Sequence, residues 1–262
     1  MNLKTLLILY LISFPVLLSG QVSADTNKTD QQGRKQGLWI KKYPSKITMY
    51  IGYFKNDKPV GEFKRYYEDS KLKSVLIYSE DGKKASATMY HENGLISSKG
   101  IYIDQKKEGK WQFFSQYIDG YLICEEYYTN NLRNGLSLRF YPDSTLAEKV
   151  NYVNDAKNGE CIQYHPNGKV CMKTTYSKGK INGKYNVWSD NGRIEISGQY
   201  INDTREGRWL FYNKDSSIKY DITYTLGVPN NRQMEIDESR YLDSLDRNKG
   251  KIADPEKVGR KW

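Results

Sequence analysis

The 262-residue sequence has few of the residues that build catalytic centres and disulfide frameworks, since it contains two histidines and three cysteines. Hydrophobic residues are also scarce, at 38% of the chain. A compact globular domain of this length normally buries more aliphatic side chains. After one apolar run at the N terminus, no stretch is long enough to cross a membrane as a helix. These shortages argue against a compact enzyme domain.

Tyrosine and glycine, by contrast, are abundant, with 23 and 21 residues, and they recur in eight copies of one pattern. The copies begin at Gly37, Gly61, Ala85, Gly109, Gly135, Gly159, Gly183 and Gly207. The starts are 24 residues apart except for one step of 26, whose extra residues lie near Tyr117 to Tyr121. A fixed period of this length marks a repeat architecture.

Each copy has the pattern of a β-hairpin when its first residue is counted as position zero. In the sixth copy, positions five, eleven and seventeen are Tyr164, Val170 and Tyr176, which are strand-favouring types. Between positions five and eleven, Pro166-Asn167-Gly168 predicts a three-residue hairpin loop whose glycine adopts a left-handed conformation. Because strand side chains alternate, we expect positions five, eleven and seventeen to share one aromatic face.

We therefore predict an all-β fold: an elongated, single-layer antiparallel sheet of about eight stacked hairpins spanning residues 37–230. So many strands cannot stay flat, and the sheet should twist and curl. Residues 231–262 form a polar tail. The helical spacing of Tyr241, Leu242 and Leu245 predicts a short helix near Asp237 to Arg247 that covers the last sheet edge.

Residues 1–24 have the composition of a secretory signal peptide: Lys4 precedes a leucine-rich run from Leu6 to Leu18. Cleavage is expected after Ala24, with Gly20 as the second choice. An uncleaved N-terminal anchor is the alternative, although the run is short for a bilayer span. The mature protein is therefore predicted to be exported, whether periplasmic, envelope-associated or secreted. Residues 25–36 lack apolar side chains and are predicted to form a flexible linker.

Several repeat elements resemble those of the MORN repeats, and more closely the bacterial MORN repeat variant family. The resemblance covers Gly37 to Asn230 and depends on motifs such as Gly109-Lys110-Trp111, Gly207 to Tyr212 and Tyr164 to Lys169. It implies an elongated hairpin array that serves as a scaffold or binding surface. Some bacterial members resemble YwqK-type antitoxins, which bind and neutralise a partner toxin. No enzyme domain accompanies the repeats in this sequence.

The sequence offers no candidate catalytic residue, cofactor-binding residue or metal ligand. His91 and His165 both occupy position six of their copies, where other copies have tyrosine or serine. Two copies that lie far apart in an array cannot share a metal or catalytic site. Nucleophile-elbow, phosphate-loop and dinucleotide motifs are missing as well. We therefore expect a protein that is not an enzyme.

The three cysteines, an odd number in an exported chain, are Cys124, Cys161 and Cys171. Cys161 and Cys171 are predicted to lie on one face, diagonally rather than directly opposite each other, which strains a disulfide. Other copies have no cysteine at either position. Burial of all three as small side chains is favoured over a Cys161–Cys171 bond.

Basic residues recur in the turns between hairpins, where stacking places them in a row. This candidate basic ridge consists of Lys58, Lys83, Lys106, Arg133, Lys157, Lys180 and Arg205. Loss of residues 1–24 removes one lysine and no acid, so the net charge falls from +10 to +9. The ridge attracts anionic lipid, envelope polysaccharide or an acidic protein, or it is a solvated edge whose lysines prevent aggregation. Interleaved aspartates favour the second interpretation, and no nucleic acid partner is expected.

Aromatic residues at positions two and four form the second candidate site, on the face opposite position five. This candidate partner-binding face consists of Trp39, Phe63, Trp111, Phe113, Tyr185, Trp209 and Phe211. An exposed strip of this kind binds protein or glycan. The alternative, that the face packs within the curl of the sheet or under the tail, is favoured because aromatic residues in repeats usually stabilise the stack. A protein partner or an envelope scaffold role is predicted, and the oligomeric state is left open.

Overall fold

The computed structural model describes residues 25–232 together with residues 234, 236, 237, 239 and 240. The predicted signal peptide at residues 1–24 lies outside the described residues, as does the tail from residue 241 onward.

The first half of the described chain consists of nine strands connected by short turns. These are β1 (Lys28–Thr29), β2 (Lys35–Lys42), β3 (Thr48–Lys55), β4 (Lys58–Tyr66), β5 (Leu72–Tyr78), β6 (Lys84–Tyr90), β7 (Ile96–Ile103), β8 (Lys106–Phe114) and β9 (Leu122–Thr129).

The second half continues in the same way with nine more strands. These are β10 (Leu132–Phe140), β11 (Leu146–Val153), β12 (Ala156–Tyr164), β13 (Val170–Ser177), β14 (Lys180–Trp188), β15 (Ile194–Ile201), β16 (Thr204–Tyr212), β17 (Ile218–Thr225) and β18 (Val228–Pro229).

All 18 strands belong to one sheet, and each pairs in antiparallel fashion with the strand before it and the strand after it in sequence. Two consecutive strands make one hairpin, and each hairpin contacts the next through the same ladder of backbone hydrogen bonds. The predicted fold class, a single-layer antiparallel sheet of stacked hairpins, is confirmed. Because every connection is short, the structure is built from local contacts.

The hairpin loops have the predicted three residues. In the fifth copy, the Tyr141 backbone N–H donates to Thr145 at 2.8 Å and the Ser144 N–H donates back to Tyr141 at 2.9 Å. Ser144 has a φ of 69°, and Gly168 takes the same left-handed conformation in the next copy with a φ of 78°. Asparagine, aspartate, serine and glycine suit this turn because they tolerate a positive φ.

The predicted face assignment is wrong at position seventeen. Tyr164 is opposite Val170, but the next pair joins Gln163 to Met172, so one extra residue bulges out of the return strand. The bulge moves the rest of that strand to the other face. Tyr176 therefore packs with Met172 and position two of its copy, whereas Tyr164 lies on the outer face.

The core lies on one face of the sheet, built from positions two, four, thirteen, fifteen and seventeen. Three buried clusters follow one another along the array: one at Phe63, Leu76, Ala85, Ala87 and Trp111, one at Val150, Tyr152, Cys161 and Met172, and one at Ile196, Trp209, Phe211, Ile222 and Tyr224. We call this the core face and the other side the outer face.

On the core face, aromatic rings at position two lie flat on glycines of the preceding strand. The pairs are Phe63 on Gly52, Trp111 on Gly100 and Trp209 on Gly198. A Cβ atom at Gly100 would lie 2.2 Å from the Trp111 ring, closer than any real contact. The indole Nε1 of Trp111 also donates to the Ile101 carbonyl at 3.1 Å. Glycine is thus needed where a ring crosses the backbone.

Where position two has a small residue instead of an aromatic ring, the residue that faces it on the preceding strand is large. Leu76 faces Ala87, and Val150 faces Cys161, so a large side chain on the first strand meets a small one on the second. The total volume across each junction is therefore maintained, as close packing requires. This exchange lets repeats of different sequence stack at the same strand spacing.

The predicted flexible linker is ordered instead. Strand β1 pairs with β2, and the Trp39 indole donates to the Lys28 carbonyl at 3.1 Å. Between them, Asp30 accepts hydrogen bonds from Arg34 and Gln36. Burial acts to raise the pKa of Asp30, but these hydrogen bonds outweigh it and lower the pKa to about 2. Polar side chains form this turn and cap the first sheet edge, which is why composition alone suggested a tether.

The last edge is covered by β18 and by helical residues that start earlier than predicted. Strand β18 pairs with β17, and residues 232, 234, 236, 237, 239 and 240 are helical. Met234 packs against the third core cluster. The prediction began this helix at residue 237, and the part of it beyond residue 240 lies outside the described residues. An atypical terminal element of this kind is common in repeat arrays.

We predict that Gly100→Ala lowers the free energy of unfolding by about 1–3 kcal/mol, because the new methyl group overlaps the Trp111 ring. Urea unfolding followed by far-UV circular dichroism measures the change. In a Trp111→Ala background the same substitution should have little effect, since the ring is gone. An equal cost in both backgrounds would show that the ring contact is not responsible.

Candidate functional site

The predicted partner-binding face is the core face, and most of its residues are interior. Phe63, Trp111, Trp209 and Phe211 are buried, and Trp111 is only 1% exposed. Trp39, Phe113 and Tyr185 are half-buried. The expectation of an exposed strip is therefore wrong at the four buried positions. The alternative, a face packed within the sheet itself, describes them correctly.

Charged side chains interrupt the core face in the middle of the array. Glu126 is buried and accepts a hydrogen bond from the Tyr128 hydroxyl at 2.5 Å, with Arg133 at 3.9 Å. Burial, followed by the hydrogen bond to Glu126, raises the pKa of Tyr128 well above its usual range. Glu148 similarly accepts from Gln163 at 2.9 Å. These groups satisfy one another, so this polar region is part of the packing.

The predicted basic ridge divides into two sets. Lys58, Lys83, Lys106 and Lys180 are exposed on the turns. Arg133, Lys157 and Arg205 instead reach over the rings at position seventeen: Arg133 lies 4.2 Å from the centre of Tyr152, and Arg205 lies 5.2 Å from that of Tyr224. Their charged groups lie over the aromatic rings, and those of Arg133 and Lys157 also pair with Asp155 and Glu148.

A basic residue that the ridge prediction left out belongs to this second set. The Lys107 ammonium lies 4.8 Å from the ring centres of Trp111, Phe113 and Tyr128. Burial lowers the pKa of Lys107, against the opposing charge of Glu126. It lies two residues before the copy start, as Arg133, Lys157 and Arg205 do, but Lys83 occupies the same position and is exposed, so position alone does not identify this set. Binding of the exposed lysines to an anionic surface stays a prediction.

The two histidines occupy one slot of a hydrogen-bond ladder along the hairpin-loop edge. A side chain at position six donates to the position-five carbonyl of the next copy, as Tyr141 does to Tyr164 at 2.7 Å. The Nε2 atom of His91 is 3.2 Å from the Phe114 carbonyl, and that of His165 is 2.8 Å from the Trp188 carbonyl. Each histidine thus connects neighbouring hairpins.

Neither a metal site nor a disulfide is found in the described part of the chain. No group of three or more histidine, cysteine, aspartate or glutamate residues there is arranged to hold a metal ion. Cys124 and Cys161 are buried, Cys171 is half-buried, and none is in a disulfide. Cys161 faces Thr174 rather than Cys171. Burial raises the pKa of the Cys161 thiol to about 11, so it is protonated at neutral pH.

The irregular fourth copy has a loop of its own form. Its position six is Ser115, whose hydroxyl accepts the backbone N–H groups of Tyr117 at 3.0 Å and Ile118 at 3.1 Å. The missing ladder contact is supplied by Tyr121, which is buried and donates to the Phe140 carbonyl at 2.7 Å. The base of the loop is therefore fixed, while Tyr117 and Ile118 are each 45% exposed at its tip.

This loop forms one wall of an open cleft of about 440 Å³ on the loop edge. The lining residues are Tyr67, His91, Glu92, Asn93, Gln116 and Tyr117. The Asn93 side-chain amide donates to the Gln116 carbonyl at 2.6 Å and so connects the two walls. Burial, and then the nearby charges of Glu92 and Asp69, raise the pKa of Tyr67. The cleft combines hydrogen-bonding groups with an apolar rim.

Sequence comparison identifies the repeat. Residues 59–80, 133–154 and 157–178 match the MORN repeat variant family. Each matched segment begins two residues before a copy start and contains both strands of one hairpin. The matches cover three of the eight copies, the second, the fifth and the sixth.

The MORN match agrees with the structure in its unit, since the family repeat corresponds to the pairs β4–β5, β10–β11 and β12–β13. The matched repeats suggest a repeat-based protein-binding module. No curated protein is significantly similar to the chain. Where the chain is described, its helical residues do not make a segment with the length and apolar character needed to span a bilayer.

The cleft borders the fourth-copy loop, which departs from the repeat. Sequence reasoning placed the two extra residues in the fourth copy but did not select Tyr117 or Ile118. The break in the period was the available signal, because insertions in repeat proteins map to loops, often on the binding side.

We predict that His165→Tyr preserves stability, because tyrosine fills the same slot in the fifth copy and donates to the same kind of carbonyl. His165→Phe removes the donor and should cost about 1 kcal/mol. Urea unfolding of both variants tests this. A His165→Tyr variant as unstable as His165→Phe would contradict the ladder role.

Proposed function

We propose that this protein is an exported, non-catalytic module that binds a partner protein at the loop-edge cleft of its third and fourth MORN copies. The observation that carries the proposal is the fourth-copy loop. Regular copies end in short polar turns, whereas this loop exposes Tyr117 and Ile118 at its tip.

The loop is suited to recognition because it is already ordered. Ser115 fixes its start and Tyr121 fixes its end. A contact that is held in place before binding loses less conformational entropy when the partner arrives. Tyrosine supplies a large, partly polar contact area, and such residues are enriched where proteins meet.

The cleft beside the loop provides a polar group that can orient a bound partner. Glu92 brings a carboxylate next to the apolar tip, and the neighbouring His91 and Asn93 side chains are fixed by hydrogen bonds to the Phe114 and Gln116 carbonyls. A peptide N–H or a basic side chain can hydrogen-bond to the Glu92 carboxylate while an apolar side chain contacts Tyr117. This combination fits a protein surface better than a small molecule, because the cleft is open and only partly enclosed.

The contacts that the titratable groups make within the fold support the assignment of the protein as non-catalytic. His91 and His165 connect neighbouring hairpins, and Glu126 and Glu148 are engaged with tyrosine, glutamine and basic residues. Each of these groups already has a structural partner. A scaffold role in the cell envelope is the form of binding we propose.

A photo-reactive phenylalanine at Tyr117 should form an adduct with one specific protein in cells that produce the chain. The same residue at Asn191, in the regular loop of the seventh copy, is the matched control and should give none. Gel mobility and mass spectrometry identify the adduct. Ile118→Ser should reduce its yield at least several-fold without changing the circular dichroism spectrum.

An adduct that forms equally at residues 117 and 191, or one that Ile118→Ser leaves unchanged, would rule out the loop as the binding site. The identity of the adduct also separates the envelope scaffold from the antitoxin-like alternative, since the latter requires a toxin as the partner.

The export proposal has its own test. N-terminal sequencing of the protein recovered from cells should begin at Asp25, as removal of residues 1–24 requires. A chain that begins at Met1 and remains in the cytoplasmic fraction would contradict export.

A further inference from the structure

The outer face has an apolar row that covers only half of the array. Position sixteen is Tyr53, Ile77, Ile101 and Tyr127 in the first four copies, and it is Asn151, Thr175, Gln199 and Thr223 in the last four. Tyr53 is 52% exposed, Ile77 is 56% exposed and Tyr127 is 43% exposed. We call the first four residues the outer row.

Strand formation does not explain the outer row. The strands of the last four copies are as long as those of the first four, yet they have polar side chains at the same slot. The core does not explain it either, because Ile101 follows Gly100, which carries the Trp111 ring on the opposite face. Tyr53, Ile77 and Tyr127 are exposed and Ile101 is half-buried. Apolar residues that recur at one surface slot in four neighbouring copies are not scattered singly, and such a set marks an interaction site.

One gap of the row is free of charge, and the charges at the other two gaps are partnered. Ile77 pairs with Ser86, and Ser86 pairs with Ile101, so a small side chain lies between them. Glu62 pairs across the strands with Ile77 and is 2.6 Å from Lys64, and Lys110 pairs with Tyr127 and is 2.9 Å from Glu125. The apolar members of the row are therefore separated by a small residue or by ion-paired side chains.

The spacing of the row is close to the length of two turns, or seven residues, of an α-helix. Successive members are two strands apart, which is about 9.6 Å. Seven helical residues rise about 10.5 Å, and a helix of about 20 residues spans the roughly 29 Å from Tyr53 to Tyr127. A helix with one apolar residue per heptad therefore places a side chain near each member of the row.

The width and the charge of the surface favour a helix over a second copy of this chain. A stable dimer buries about 800 Å² on each partner, whereas the row is one side chain wide. The acidic residues next to the row are engaged within the chain, since Glu62 pairs with Lys64, Glu125 pairs with Lys110, and Glu108 accepts the Asn130 backbone N–H. Lys55, Lys84 and Lys99 lie on the same face beside the row. Acidic residues that flank the apolar stripe of a helix would complement them.

We propose that the outer row binds an amphipathic α-helix of a partner protein, with one apolar residue per heptad and acidic flanks. This inference rests on the proposed function in that the partner is a protein, but it uses another surface. The row lies at least six strand residues, about 20 Å, from the loop-edge cleft. The two sites can therefore fail independently.

A synthetic helical peptide of about 25 residues tests the proposal, with leucines seven residues apart and glutamates on both flanks. Fluorescence anisotropy with the full chain should show saturable binding. Ile77→Thr with Ile101→Thr should weaken it at least tenfold, because this restores the polar slot of Thr175. Val153→Thr with Ile201→Thr removes two exposed apolar residues of the other half and should have no effect.

Several outcomes would overturn the inference. These are no binding, equal binding of a peptide with the same composition in scrambled order, and equal weakening by the two double variants. Sedimentation in which the Ile77→Thr, Ile101→Thr variant converts a dimer to a monomer would assign the row to a second copy. Retention on anionic vesicles that this variant abolishes would assign it to a membrane. Tyr117→Ser with Ile118→Ser should leave peptide binding intact, which separates the row from the cleft.

Discussion

A sheet one layer thick has to bury its apolar face with its own side chains, and the rest of this structure depends on how it does so. At three junctions an aromatic ring lies flat over a glycine of the neighbouring strand, and at others a large residue faces a small one. The ring then covers the backbone beneath it and is itself covered by the tyrosine at position seventeen, as Tyr102 and Tyr224 cover their tryptophans. Trp111 and Trp209 become fully buried without a second layer.

Basic side chains also cover the core, so part of the positive charge of the chain contributes to packing rather than to a binding surface. Lys107, Arg133 and Arg205 lie over aromatic rings of the core. Composition alone assigns these residues to a charged surface, but they cover the core instead. Such contacts contribute about 0.5–2 kcal/mol each, depending on how far the cation is desolvated. Binding surfaces are consequently left to the loop edge and the outer face, where side chains are not needed for stacking.

Sequence reasoning was accurate where the physics is local. Hairpin loops depend on a few residues with a positive φ, and the copy starts and strand order follow from the period. It was wrong where a single extra residue determines on which face of the sheet the following side chains lie. The bulge before Met172 moves Tyr176 to the side opposite Tyr164. Because of the same bulge, positions two and four, for which an exposed strip was one interpretation, belong to the core. Residues 25–36 were predicted to be a linker because they lack apolar side chains. In the structure, polar side chains such as Asp30 form an ordered cap there.

The sequence by itself determined the number of copies, their hairpin form and the break in the fourth, because period and turn chemistry are properties of neighbouring residues. Only the tertiary structure decided which aromatic residues are core, which basic residues are exposed and that Tyr117 borders a cleft. These depend on strand register and on what the preceding copy places opposite each side chain. The glycine opposite Trp111 lies eleven residues away in the chain, yet it alone makes room for that ring.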